Sequence, residues 1–482
     1  MALDQYLSVP ILITTVTFFI TYWIVQLWNK NRKLPPGPWG LPFFGYYPFI
    51  SPNEPYKDLT KLSKKYGSIY SFRTFGGRLV IVLNGTKTVK DVIVNRAEEF
   101  IGRPHGDTTL TWVSDVGILQ DEGEAWKEQR KFFLQTAKSL GFGKLEMEGK
   151  IHDEIKGMLE DLRKDCKNGQ DVDLQSHGAY VTNSIISQIL FGKRFTKDEF
   201  HRKMEKEFLD CVKVFVGKKH ILIGNILKLF LTFSPSMRRA NKARGVLQKC
   251  VSEIVKEHLT RFDPTHPKDY VDYFLLQRTE LLKNGSEGSF TVERLEANCL
   301  NLFMEGTETV SFTANHLLEE LSKYPETQKK IQQELDSIVG KERLPSWADR
   351  IKLPLLEATI QELYRMATPF NLSTMYSNFK QTTIEGYTIP ERSSIIFNLD
   401  PGNFDNGIFP NPHKFDPSRF LSADGKKMKQ DGPFPFGIGK RACAGESLAH
   451  MEVFLIIASV VQNFTVYPGS EQERLKLVPR NL

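Results

Sequence analysis

What the chain has little of narrows the field first. Its 482 residues include five cysteines, at positions 166, 211, 250, 299 and 443. They are scattered and form no C-x-x-C pair, which speaks against a disulfide framework or a zinc site. None of the ten histidines shows H-x-x-x-H spacing, so a histidine-ligated metal centre is not indicated. No glycine fingerprint for a nucleotide is present. The length corresponds to about three average domains, yet no internal repeat, low-complexity run or Gly/Ser linker divides it. The net charge of +7 is modest and not gathered into a basic stripe, which favours an anionic lipid or an acidic protein over nucleic acid as a partner. Hydrophobic content of 40% and charged content of 25% are ordinary for a globular protein. The 34 phenylalanines are an excess, enough to line an apolar pocket as well as fill a core.

Charge is also missing from Val9 to Trp28. Twenty residues at helical rise span about 30 Å, the hydrocarbon thickness of a bilayer. No basic residue precedes the segment and no A-x-A-like site follows it, which sets aside a cleaved signal peptide. Asp4 lies before it and Lys30, Arg32 and Lys33 after it, so the positive-inside rule puts the rest of the chain in the cytoplasm. The expected organisation is a single N-terminal transmembrane helix within 1–29, a basic, proline-rich hinge over 30–42, and one large domain over 43–482. Leu34-Pro-Pro-Gly-Pro-Trp-Gly-Leu-Pro42 favours stiff, extended backbone.

In that domain Ser68–Phe75 and Arg78–Leu83 read as two strands turning at Gly76-Gly77. Thr86 to Arg96 looks helical, helical periodicity marks 146–164, 241–261, 292–323, 325–338 and 355–367, and a short strand set surrounds Gly386-Tyr387. The fold class is therefore mainly α with small β-sheets.

Phe436-Gly-Ile-Gly-Lys-Arg-Ala-Cys-Ala-Gly445 carries the strongest chemical signal. Gly437 and Gly439 permit a tight turn. Cys443 then precedes an apolar helix, Glu446 to Ser459, whose first N–H groups can stabilise a thiolate. Phe436 can shield the sulfur, and Arg441 offers a positive fork to a carboxylate. Trp126 and Arg130 stand one helical turn apart. Gly306, inside a helix, costs about 1 kcal/mol against alanine and signals close approach by something large. Glu305 and Thr309 share a face of that helix, with Glu308 turned to the side.

The cysteine loop resembles the haem-binding signature of the cytochrome P450 superfamily, F-x-x-G-x-R-x-C-x-G, at every defined position. The resemblance extends over nearly the whole chain and is nearest to animal microsomal family-two-type monooxygenases. It implies the P450 fold, with Cys443 as the axial thiolate ligand of haem iron, a ligand that favours O–O cleavage. It implies that Trp126, Arg130, Arg103 and Arg441 hold the haem propionates, with Phe436, Gly437, Gly306 and Glu305 also against the cofactor. The motif A/G-G-x-D/E-T-T/S is matched by Gly306, Glu308 and Thr309, implying that Thr309 hydrogen-bonds dioxygen and Glu308 relays protons through water. Glu305 departs from the usual alanine or glycine; in the fatty-acid ω-hydroxylase branch a glutamate here can esterify a haem methyl. Tyr376 and Phe404 depart where histidine, or arginine for the latter, is usual. Glu362, Arg365 and Arg419 match an internal ion triad.

By the same resemblance the activity is insertion of one oxygen atom from O2 into a lipophilic substrate. Electrons come from NADPH through cytochrome P450 reductase, with cytochrome b5 as a second candidate donor. Lys127, Lys131 and Lys440 are candidates to meet an acidic partner. The implied location is the endoplasmic reticulum membrane. The rival readings are a haem-thiolate isomerase or dehydratase that needs no O2, and a non-catalytic haem or lipid binder. Segments 104–118, 201–235 and 368–374 are expected to form the pocket.

Overall fold

The structure, a computed structural model, describes residues 32–104, 114, 116–167, 171–194, 235–368, 371–425, 433–470 and 474–480, and six positions between 14 and 22. Gly76 and Gly77, both at positive φ, turn the chain between β1 (Ile69–Arg73) and β2 (Leu79–Asn84). This is the expected hairpin. β6 (Ser394–Asn398) adds parallel to β2 and β3 (Tyr376–Ser377) antiparallel to β6, giving a sheet ordered β1-β2-β6-β3. Val80 and Val82 pack to one side of it, Ile81 and Leu83 to the other, as the two-residue period of a strand requires. Two small hairpins are the other sheets among the described residues: β4 (Thr382–Ile384) with β5 (Tyr387–Ile389), and β7 (Phe464–Pro468) with β8 (Leu475–Pro479).

Helices carry the rest. The longer ones among the described residues are α1 (Pro55–Tyr66), α2 (Gly123–Ser139), α3 (Leu145–Lys167), α4 (Leu174–Phe191), α5 (Pro235–Arg261), α6 (Tyr270–Lys283), α7 (Val292–Leu321), α8 (Pro325–Ile338), α9 (Pro354–Ala367) and α10 (Glu446–Asn463). Between Thr86 and Arg96 the expected helix is a short α turn followed by a π turn. α7 begins where the Thr291 side chain accepts from the Arg294 N–H at 3.1 Å, an ordinary N-cap. α10 is apolar almost all round and buried from Met451 to Asn463, so it forms the middle of the largest core cluster.

Helices α4 and α7 approach closely because small residues face each other. A Cβ on Gly178 would lie 3.2 Å from the Ser311 Cβ, and Thr182 donates its hydroxyl to the Thr307 carbonyl at 2.6 Å. At the other side of α7, Asn298 accepts from the Ile118 N–H at 2.8 Å and donates to Gln129 on α2 at 2.9 Å. These bonds fix α7 between α2 and α4.

The proline-rich segment lies along β1: Ser71 donates its N–H to the Pro36 carbonyl at 2.8 Å and its hydroxyl to that of Pro35 at 2.7 Å. Val9–Trp28 falls largely outside the described residues; the six described positions there are helical and exposed. No helix among the described residues is long and apolar enough to cross a membrane. The expected pocket segments 104–118 and 201–235 also fall mostly outside them.

Candidate active site

Cys443 ends a loop that only particular residues can make. Gly437 and Gly439 adopt φ of 73° and 76°, and a Cβ on Gly439 would sit 2.4 Å from the Ile93 carbonyl oxygen. The Cys443 N–H donates to the Phe436 carbonyl at 2.9 Å, closing the loop. The Gly445 N–H, at the start of α10, points to the sulfur and favours its anion, but burial outweighs it and pushes the thiol up to about 11. A metal cation is what would displace that proton. Cys443 is accessible by area yet deep among protein atoms, because the surface it shows is turned to a cavity of about 320 Å³.

Helix α7 lines the same cavity with Asn301, Glu305, Gly306 and Thr309. Glu305, like Cys443, is accessible by area because it faces the cavity, yet it lies deep among protein atoms, and that burial raises its carboxyl to about 7. Thr309 donates its hydroxyl to the Glu305 backbone carbonyl at 2.6 Å. The close approach expected at Gly306 is supplied by the protein itself: a Cβ there would meet Ile186 Cγ1 of α4 at 2.9 Å. Glu308 is buried, takes a hydrogen bond from Gln175 Nε2 at 2.5 Å, and stands apart from the residues lining the cavity.

Three guanidinium groups converge on the cavity beside Trp126. Arg103 donates to the carbonyls of Leu119 and Met375 at 3.0 and 2.7 Å. Arg130 donates to the Ala442 carbonyl at 2.5 Å. Arg441 donates to the carbonyls of Ile101 and Asp121 at 3.1 and 2.6 Å, and lies 3.9 Å from the centre of the Trp126 ring. Burial, with Arg103 and Arg130 close by, pulls Arg441 down to about 8. None of the three donates to a carboxylate through its side chain; Glu122 is held by Arg392 at 2.7 Å. Arg441 Nη1 and Trp126 Nε1 are buried without a hydrogen-bond partner. Unpaired donors and uncompensated positive charge beside an apolar cavity call for an anionic ligand. With Cys443 at the same cavity, the residues fit haem: a flat apolar ring, a metal, and two carboxylates.

Tyr376, singled out as a departure, lies among the three arginines at the cavity wall. Phe404, the other, lies 5.5 Å from the Arg365 guanidinium, ring centre to carbon. Arg365 and Glu362 form a fully buried bidentate pair at 2.7 and 2.9 Å, and Arg419 reaches Glu362 at 3.3 Å. The expected ion triad is present. Lys127 and Lys440 are both engaged by Glu98.

Sequence reading passed over several cavity-lining polar groups, among them Asn301, whose Nδ2 is buried without a partner, Tyr364, whose hydroxyl is likewise unpartnered, and Glu452, whose carboxyl pKa burial raises. Asn301 was legible in principle, one turn before Glu305 on an apolar helix. Tyr364 and Glu452 lie within runs that read as ordinary core.

Comparison with known proteins agrees with this geometry. The family model described as Cytochrome P450 matches residues 35–480. The chain is 34% identical over 454 residues to cytochrome P450 2F3 of Capra hircus, covering 93% of this chain and 90% of that protein. It is 32% identical over 481 residues to cytochrome P450 2A4 of Mus musculus, covering 98% and 95%, and 32% identical over 476 residues to cytochrome P450 2C38 of the same species, covering 98% and 96%.

Proposed function

The chain belongs to the cytochrome P450 family and is a haem monooxygenase, and on that premise we propose a membrane-anchored microsomal enzyme that oxidises lipophiles with electrons from NADPH. Haem bound through the Cys443 sulfur supplies the chemistry that splits dioxygen, placing one atom in a substrate C–H or C=C bond and releasing the other as water.

The protein's own contribution is binding, exclusion of water and proton handling. Arg103, Arg130 and Arg441 neutralise the two propionates, with Trp126 Nε1 as an additional donor. Phe436 lines the cavity with Cys443, and the Gly445 N–H steadies the charge of the sulfur. Thr309 supplies a hydroxyl at the cavity wall. Glu308 sits on the side of α7 that faces α4, where Gln175 bonds it, so its part in proton delivery would run through water. The apolar walls, among them Ile118, Phe133 and Leu302, favour a lipophile.

The observation that carries this reading is the meeting of Cys443 and three carboxylate-free guanidiniums at one apolar cavity. Electron supply is assigned to a flavoprotein reductase, with cytochrome b5 as a second donor, and the location to the endoplasmic reticulum membrane. Reconstitution with reductase and NADPH under isotopically labelled dioxygen tests it. Product carrying one labelled atom, formed only with NADPH and reductase, is expected; product formed without them contradicts it.

A further inference from the structure

Resting on the reading of a membrane-anchored enzyme, we propose that a second cavity, beside the β1–β2 turn, binds the phosphate of an anionic phospholipid. This cavity measures about 450 Å³ and shares no described lining residue with the active site. Arg73, Arg78 and Arg392 line it, with Glu391 as the single acid among its described lining residues.

Existing bonds hold the guanidiniums in place. Arg73 Nη1 donates to the Gly77 carbonyl at 2.8 Å, and Arg78 Nε donates to the Ser394 hydroxyl at 2.8 Å. Arg392 also reaches Glu122 at 2.7 Å, which makes Arg73 and Arg78 the principal phosphate ligands. Burial lowers the Arg73 guanidinium from its ordinary pKa, a cost that a bound anion offsets. Planar guanidinium forks match phosphate oxygens in pairs.

The place of the cavity in the chain decides which phosphate. Leu34 lines it, six residues after the uncharged segment Val9–Trp28 ends. Six residues of chain reach at most about 22 Å. The hinge is also docked: the Lys33 carbonyl accepts the Thr388 N–H at 2.7 Å, and a Cβ on Gly37 would collide with the Ser71 carbonyl oxygen. An anchor in the bilayer therefore keeps the cavity near the bilayer surface.

The same turn carries apolar rings into solvent. Trp39, Phe43 and Phe44 are 75%, 56% and 46% exposed. The rings of Phe43 and Phe44 stand 4.6 and 5.3 Å from that of Phe75, centre to centre. Phe75 leads into the Gly76-Gly77 turn that Arg73 and Arg78 flank. Exposed aromatics beside guanidiniums match the two layers of a membrane interface, its apolar boundary and its anionic headgroups. A free phosphate ester would use the guanidiniums and leave the rings in water.

The test titrates the full-length, haem-loaded protein in neutral detergent with dioleoyl phosphatidic acid or dioleoyl phosphatidylcholine, counting bound lipid by native mass spectrometry. The parent is expected to bind its first phosphatidic acid at least about tenfold tighter than phosphatidylcholine. Arg73→Gln/Arg78→Gln should remove most of that preference, and Arg73→Lys/Arg78→Lys should keep part of it. Lys249→Gln/Lys256→Gln, the same charge change on exposed positions of α5, should leave it intact. Phe43→Ser/Phe44→Ser should weaken binding of the dioleoyl phosphatidic acid more than that of its short-chain dihexanoyl analogue. Equal binding of the two dioleoyl lipids by the parent, or a preference that falls as far in the α5 variant, overturns the proposal. Inorganic phosphate that displaces phosphatidic acid at equal concentration overturns a lipid as the occupant. The carbon monoxide spectrum of each reduced protein, and flotation of the parent with pure phosphatidylcholine vesicles, report the haem-thiolate and membrane-anchor readings separately. Failure of the site is thus distinguishable from failure of either.

Discussion

Gly306 of α7 lies so close to Ile186 of α4 that a Cβ at position 306 would stand 2.9 Å from Ile186 Cγ1 and 3.0 Å from its Cδ1. The glycine therefore serves the contact of two helices as well as the cavity it borders.

Gly306→Ala is expected to destabilise the protein by about 1–3 kcal/mol through overpacking, less the about 1 kcal/mol that alanine returns in helix propensity. Ile186→Ala alone leaves a void and costs about 2–5 kcal/mol. The double variant should cost less than the sum, because the added methyl partly fills the void. Denaturant midpoints of the four proteins check this; simple additivity would remove the contact as the reason for the glycine.

Much of this arrangement was legible in the sequence. The cysteine loop needs glycines at fixed offsets because its backbone takes positive φ and runs against Ile93, so the chemistry and the geometry are written in the same residues. α7 and α10 were legible because long apolar periodicity has few alternatives. Gly306 was read correctly as a place of close approach, but its neighbour was not, since the partner Ile186 is 120 positions away in sequence and no local pattern points to it. The same holds for Arg441 against Trp126. Sequence spacing names the side chains, whereas their meeting depends on how α2 packs beside the loop.

The orphaned donors make a prediction about cofactor retention. Trp126→Phe keeps the ring beside Arg441 and removes only Nε1–H. Haem should transfer faster from this variant to apomyoglobin, and faster still from Arg441→Leu, since a hydrogen bond to a charged acceptor contributes about 1.5–3 kcal/mol. Unchanged transfer rates in both would mean that these groups do not hold the propionates.

The buried ion triad behaves differently. Glu362→Ala leaves the fully buried Arg365 without its bidentate partner. A loss of about 3–5 kcal/mol in unfolding free energy is expected, together with reduced haem content. Glu362→Asp, too short for both bonds, should fall between. A near-neutral Glu362→Ala would show that Arg365 finds another partner.

Glu305 gives a pH dependence with a definite sign. Its folded carboxyl titrates near 7, above the ordinary 4.5. Between those values the folded state holds a proton that the unfolded chain has released, so stability falls as pH rises through the window. Glu305→Gln lacks this term. In haem-free protein the advantage of the variant over the parent should therefore grow from pH 5 to pH 7 and level off above it. An advantage independent of pH would place the Glu305 carboxyl in water.

The account depends most on the sulfur at position 443 as the iron ligand. After reduction with dithionite and exposure to carbon monoxide, the parent protein is expected to give the strongly red-shifted Soret maximum of a thiolate-ligated haem, and Cys443→Ala to give none. A parent spectrum without that maximum, or a Cys443→Ala spectrum that keeps it, would contradict the account.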